Sequence, residues 1–131
     1  MKAWIILLVG VLAASGARAE PKRTSDVLQD CSITAPDAST FLACMSYVQG
    51  LMDGFYRVDQ SLVEITNKRE GYLGLCLPVN GVRGDVLVQH LKSHVEAVPK
   101  DEGLLARTVI FTVLKEMYPC KKVSVPDALH P

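Results

Sequence analysis

Four cysteines and one pair of histidines are the residues of this chain best suited to covalent or metal chemistry. Cys31, Cys44, Cys76 and Cys120 are separated by 12, 31 and 43 residues. Structural zinc sites draw their cysteines in close pairs, and none occurs here. Without a C-x-x-C motif a thioredoxin-type redox centre is not indicated either. An even number of widely spaced cysteines reads instead as two disulfides, provided the chain meets an oxidising compartment. His90 and His94 lie four apart, a spacing that lets two imidazoles grip one metal ion, with Asp85 and Glu96 close by in sequence. The glutamate of an H-E-x-x-H motif is missing, however, and Leu91 and Val95 place an apolar stripe beside both rings. Neither a metal nor any other cofactor is expected. No G-x-S-x-G elbow accompanies the serines, and paired cysteines leave no thiol nucleophile. Asp101-Glu102 reads as charge at a helix start, and Arg83-Gly84-Asp85 as the lead-in to a helix. These residues point away from an enzyme.

The compartment is written in the first twenty residues. Lys2 precedes an apolar run over 4–14, and Ala17-Arg18-Ala19 then forms an A-x-A cleavage pattern. That is the layout of a secretory signal peptide cut between Ala19 and Glu20. The run is 11 residues long, whereas a bilayer span needs roughly 20. The full chain has 131 residues, no net formal charge and a mean hydropathy of +0.21. Removing 1–19 takes away Lys2, Arg18 and the only tryptophan, and leaves 12 basic against 14 acidic residues. A slightly acidic domain without a basic-aromatic stripe gives no electrostatic reason to expect nucleic acid. The mature form is expected to be exported to the periplasm, with no membrane attachment, as one domain over 20–120 followed by a flexible tail over 121–131.

Positioning falls to helices. Val27, Leu28 and Cys31 follow a Thr24-Ser25-Asp26 start signal and predict a short helix over about 25–31. Phe41, Cys44, Met45, Val48, Leu51, Met52 and Phe55 recur at steps of three and four, which predicts a long helix over about 40–60, capped by Asp37, Ser39 or Thr40. Gly50 and Gly54, each unfavourable in a helix interior, read as points of close helix–helix contact or, nearly as readily, as a kink or an early helix end. Residues 61–74 are ambiguous, with Asn67 to Gly71 breaking the pattern. Leu87, Leu91, Val95 and Val98 predict a third helix over 85–98, ended by Pro99. Leu105, Val109, Val113 and Met117 predict a fourth over 103–118, ended by Pro119. No stretch alternates with a strand period. The fold class is all-α: a small disulfide-bonded bundle of three principal helices plus a short N-terminal one. If the helices run up, down, up, Cys31 meets Cys44 and Cys76 meets Cys120. The long 61–74 segment could equally return Cys76 toward Cys44, so the pairing stays open at this level.

Taken in order, these elements resemble a known family. Phe41, Cys44, Tyr47, Gly50, Asp53 and Gly54 are similar to the F-x-x-C-x-x-Y-x-x-G-x-x-D-G signature of the Rap/Tai proteins, small exported immunity proteins against type VI secretion amidases. Leu75-Cys76-Leu77-Pro78 resembles the family's aromatic-Cys-aliphatic-Pro element, with Leu75 in the aromatic's place. His90-Leu91-Lys92-Ser93-His94-Val95-Glu96 resembles its Y-L-x-x-H-P-E helix end, with His90 and Val95 as departures. Met117-Tyr118-Pro119-Cys120 matches its close. The resemblance implies a periplasmic, helical, often dimeric protein. It assigns Phe41, Tyr47, Gly50, Asp53, Gly54, Pro78, His94, Glu96 and Pro119 to the framework. It further implies a protein partner, a peptidoglycan amidase effector, which the chain would bind and block. The exposed segments best placed to do so carry Glu64, Lys68, Arg69, Glu70, Asp101 and Glu102. Two other readings share the layout: a family module without a toxin partner, and an acid-stress chaperone.

Overall fold

A computed structural model describes residues 20–66, 71 and 73–120. The stretches expected to be the signal peptide and the tail, and the candidate residues Lys68, Arg69 and Glu70, lie outside the described residues. Four α-helices follow in order: α1 (Thr24–Asp30), α2 (Ala38–Thr66), α3 (Gly84–Ala97) and α4 (Ala106–Met117), with a 3-10 turn over Pro99–Gly103 between the last two. Extended pairing among the described residues is confined to two isolated bridges, Arg23 with Leu105 and Leu75 with Pro119. No described helix is long and apolar enough to cross a membrane. The protein is all-helical, with Cys31 bonded to Cys44 and Cys76 to Cys120.

The core follows from the apolar periodicity. Val109, Ile110, Val113 and Leu114 of α4 are shut off from water, and Leu87 and Leu91 of α3, Val27 of α1 and Val48 and Met52 of α2 close around them. Each fully buried Leu, Ile or Val contributes about 1.5–3 kcal/mol of transfer free energy. Both ends of α4 are tied by backbone. At its start Ala106 N–H donates to Lys22 O at 3.0 Å and Thr24 N–H to Leu104 O at 2.9 Å. At its end Cys76 N–H donates to Tyr118 O at 2.9 Å, beside the Cys76–Cys120 bond.

Several boundaries move. α2 starts where Asp37 caps it, accepting the Thr40 N–H at 2.8 Å. The Ser39 hydroxyl and Thr40 hold that carboxyl down at about 2. The helix then continues through Thr66, because Leu62, Val63 and Ile65 prolong it. The start of α1 is capped not by the threonine or serine but by Asp26, whose carboxylate accepts the Arg23 N–H at 2.8 Å. Thr24 is instead buried inside the helix, its hydroxyl donating to Leu104 O. Residues 103–105 do not join α4; the chain spends 99–103 in the tighter turn that Pro99 opens.

Gly50 and Gly54 overturn the packing reading. Both are exposed, and a methyl group added at either would meet nothing within 4 Å. They lie on the outer side of α2, whose buried residues are Cys44, Val48, Met52 and Asp59. Gly50→Ala and Gly54→Ala should therefore each raise stability by about 0.5–1 kcal/mol, through helix propensity alone. Urea unfolding checks this; a loss of stability would return the two glycines to a helix–helix contact.

Candidate partner-binding surfaces

The segments singled out as partner-binding lie at the ends of two different helices: the C-terminal end of α2, and the end of α3, where the 3-10 turn follows. Each end has its own chemistry.

The first end is built by α2 and the returning chain. Asp59 sits on the buried side of α2 and is 6 % exposed. Its two carboxylate oxygens accept the Leu73 N–H at 2.9 Å and the Gly71 N–H at 3.2 Å. The chain is thereby brought back against α2 at the level of residue 59, and the last seven helical residues extend past that point, about 10 Å. That projecting stretch exposes Ile65 (81 %) and, at its base, Val58 (51 %), with Glu64 in water between them. Gly71 completes the junction at φ 89°, pressed against Cys120 Sγ so closely that no side chain could be accommodated. Sequence reading passes over Asp59 and takes Gly71 only as part of a break in the helical pattern. Asp59 had a visible signal: it continues the Cys44, Val48, Met52, Phe55 stripe, where a charge demands a buried partner.

The second end is the 3-10 turn. It is exposed along Pro99, Lys100, Glu102 and Gly103, and Leu104 beside it is 47 % exposed. It is also held at three points, two from the start of α1 and one from α3. Arg23 Nη1 donates to Gly103 O at 2.7 Å, Thr24 pins Leu104 O, and His94 of α3 lies 2.9 Å from Asp101. Glu102 presents its carboxylate to solvent, whereas Asp101 faces inward and is spent on His94, its side chain 17 % exposed. The Arg23 and Thr24 contributions come from the chain at the very start of α1, and Lys22 beside them holds the start of α4.

The framework residues are spread rather than gathered. Tyr47 is half-buried and packs on the core. Phe41 and Met45 line a groove of about 500 Å³ with Leu28, Ile33 and Val88, next to the Cys31–Cys44 bond. Asp53 is exposed and accepts from Gln49 at 3.0 Å. Pro78 borders a smaller hollow with Tyr56 and Val79, Pro119 pairs with Leu75, and Glu96 is in water. Of the two histidines, His90 is exposed and His94 is held by carboxylates. No three His, Cys, Asp or Glu side chains converge as a metal site among the described residues. Arg83 and Asp85 pair with each other in solvent at 2.6 Å, as a helix lead-in does.

Two disulfides, four helices and exposed turns define, among the described residues, a small helical protein. The chain belongs to the Rap1a immunity protein family, whose sequence profile matches residues 23–120. No curated protein matches the chain, and no solved structure does. Membership implies a protein partner, an effector.

Asp59→Ala should cost about 1–3 kcal/mol, because it orphans two backbone donors at the α2 junction. It should also open 71–76 to proteolysis before global unfolding. Limited thermolysin digestion reads this directly, and a digestion pattern identical to that of the unaltered protein would remove Asp59 from the junction.

Proposed function

We propose that this protein is exported to the periplasm and there binds and inhibits a peptidoglycan amidase effector delivered by type VI secretion. The observation that carries the reading is the family match over 23–120. The two disulfides agree with an oxidising compartment. Within that reading the 3-10 turn is the face offered to the effector. Blocking a cleft requires an element that is both exposed and already in its bound shape, since ordering a loose loop on binding subtracts from affinity. The 3-10 turn combines exposure at Lys100, Glu102 and Leu104 with anchorage to α1 and α3.

Co-expression of a candidate amidase in the periplasm should lyse cells, and this protein should relieve the lysis. Glu102→Lys together with Leu104→Ala should weaken binding at least about tenfold, the loss expected when anchor residues are removed, while leaving the melting temperature nearly unchanged. Calorimetric titration measures the binding, and a thermal scan measures the melting temperature. Full protection by the double variant would move the interface elsewhere.

The far end of α2 is better suited to a second copy of the chain. Leu51, Phe55, Val58, Leu62 and Ile65 step by four, three, four and three, the period of a coiled-coil seam. Phe55 is partly engaged by Phe111, with ring centroids 5.1 Å apart, while Val58 and Ile65 stay uncovered. Antiparallel pairing of two such helices is isologous, each copy offering the same patch to the other. Sedimentation should show a dimer that Ile65→Glu converts to monomer; a monomeric starting protein would dispose of this contact.

A further inference from the structure

His94 stands in the last turn of α3 and reaches carboxylates on two other elements. Its Nε2 lies 2.9 Å from Asp101 Oδ2 on the 3-10 turn, and its Nδ1 lies 3.2 Å from Glu116 Oε2 on α4. The ring is 10 % exposed. An ionised carboxylate only accepts hydrogen bonds, and a neutral imidazole has one N–H and one lone pair. A neutral ring can therefore satisfy one carboxylate and must turn a lone pair on the other. Only the imidazolium donates to both. The hollow around the ring is lined by α3 and α4, through His90, Ser93, Val113 and Glu116, and by Val98. Asp101, Glu116 and His90 are thus the titratable groups that face it, and α1 and α2 bring no charge to the hollow among the described residues.

We propose that His94 is a proton-operated clamp on the 3-10 turn. Doubly protonated, it ties α3, the turn and α4 together. On losing its proton it gives up Glu116, keeps an uncharged donor toward Asp101, and lets the first half of the turn loosen, so that effector binding weakens as the surroundings become alkaline. The effector clause rests on the reading of this turn as the partner-binding face; the clamp itself does not.

The direction of the pH dependence follows from the contacts. The hydrogen bond to Asp101, with help from Glu116 and against the cost of burial, holds His94 above the ordinary histidine value of 6.5. A group so raised stabilises fully below its unfolded value, and that stabilisation is lost as pH rises through the folded one. The two halves of the turn should respond differently. Asp101 N–H donates to Val98 O at 3.0 Å, next to the clamp, whereas Thr24 N–H donates to Leu104 O, anchored from α1.

The test is amide exchange followed by NMR on the intact protein from about pH 5.5 to about pH 8.5, corrected for intrinsic exchange, beside a titration of the His94 ring. Protection of the Asp101 amide should fall several-fold through the ring's own midpoint while that of Thr24 stays level. The midpoint should lie above that of free histidine and drop in Glu116→Gln, a change at a largely exposed side chain that leaves the fold intact. His94→Gln should hold Asp101 protection low and independent of pH. Level Asp101 protection in the unaltered protein, or an equal fall in His94→Gln, would overturn the clamp. Affinity for an amidase identified by co-expression should weaken with pH in parallel. Absence of amidase binding at every pH would overturn the immunity reading, while the exchange data alone decide the clamp.

Discussion

The burial of α4 is the constraint on which the rest of the molecule depends. Val109, Ile110, Val113 and Leu114 leave almost no surface to water, and a helix so enclosed must have its polar ends satisfied by other parts of the chain. The leading residues 22–24 do this at one end and residues 75–76 at the other. Two segments that look like connectors are thereby recruited as structure. The Cys76–Cys120 bond closes the second of these ties across 44 residues of sequence, and the Cys31–Cys44 bond fixes α1 to the start of α2 across 13. In a domain of this size the core is limited, and each cross-link adds about 2–4 kcal/mol by restricting the unfolded chain.

Those ties also shape what the surface can do. The 3-10 turn protrudes yet is immobilised because the same leading residues that satisfy α4 grip it, and His94 grips it from the other side. The end of α2 protrudes for a different reason: Asp59 draws the returning chain onto the helix before the helix is finished. One protrusion is polar and rigid, the other carries bare apolar side chains.

Much of the helical layout was legible in the residue pattern. The apolar steps from Phe41 to Phe55, the stripe from Leu87 to Val95 and the prolines at 99 and 119 each left a local mark, because a helix core face and a helix stop are local properties. The family could be recognised for the same reason, since Cys44, Tyr47, Pro78 and Cys120 sit at fixed spacings. The glycines at 50 and 54 were misread because a small residue in a helix signals only that a side chain is missing, not that a neighbour fills the space. Nothing local marks the role of residues 22–24, because the bonds they make reach about eighty positions along the chain.

The sequence by itself determined the helical class, the disulfide-bearing character and the family, all of which depend on residue type and short spacing. The tertiary structure decided which charges are available and which are consumed. Asp101 and Glu102 are neighbours of equal standing in the sequence, yet one is turned inward onto His94 and the other is left in water. Asp59 stands out in the sequence as a charge on the apolar stripe of α2, but only the returning chain supplies its two donors. A side chain's partners are set by what the fold brings within hydrogen-bonding distance, and that distance is short compared with the stretches of chain that must close to reach it.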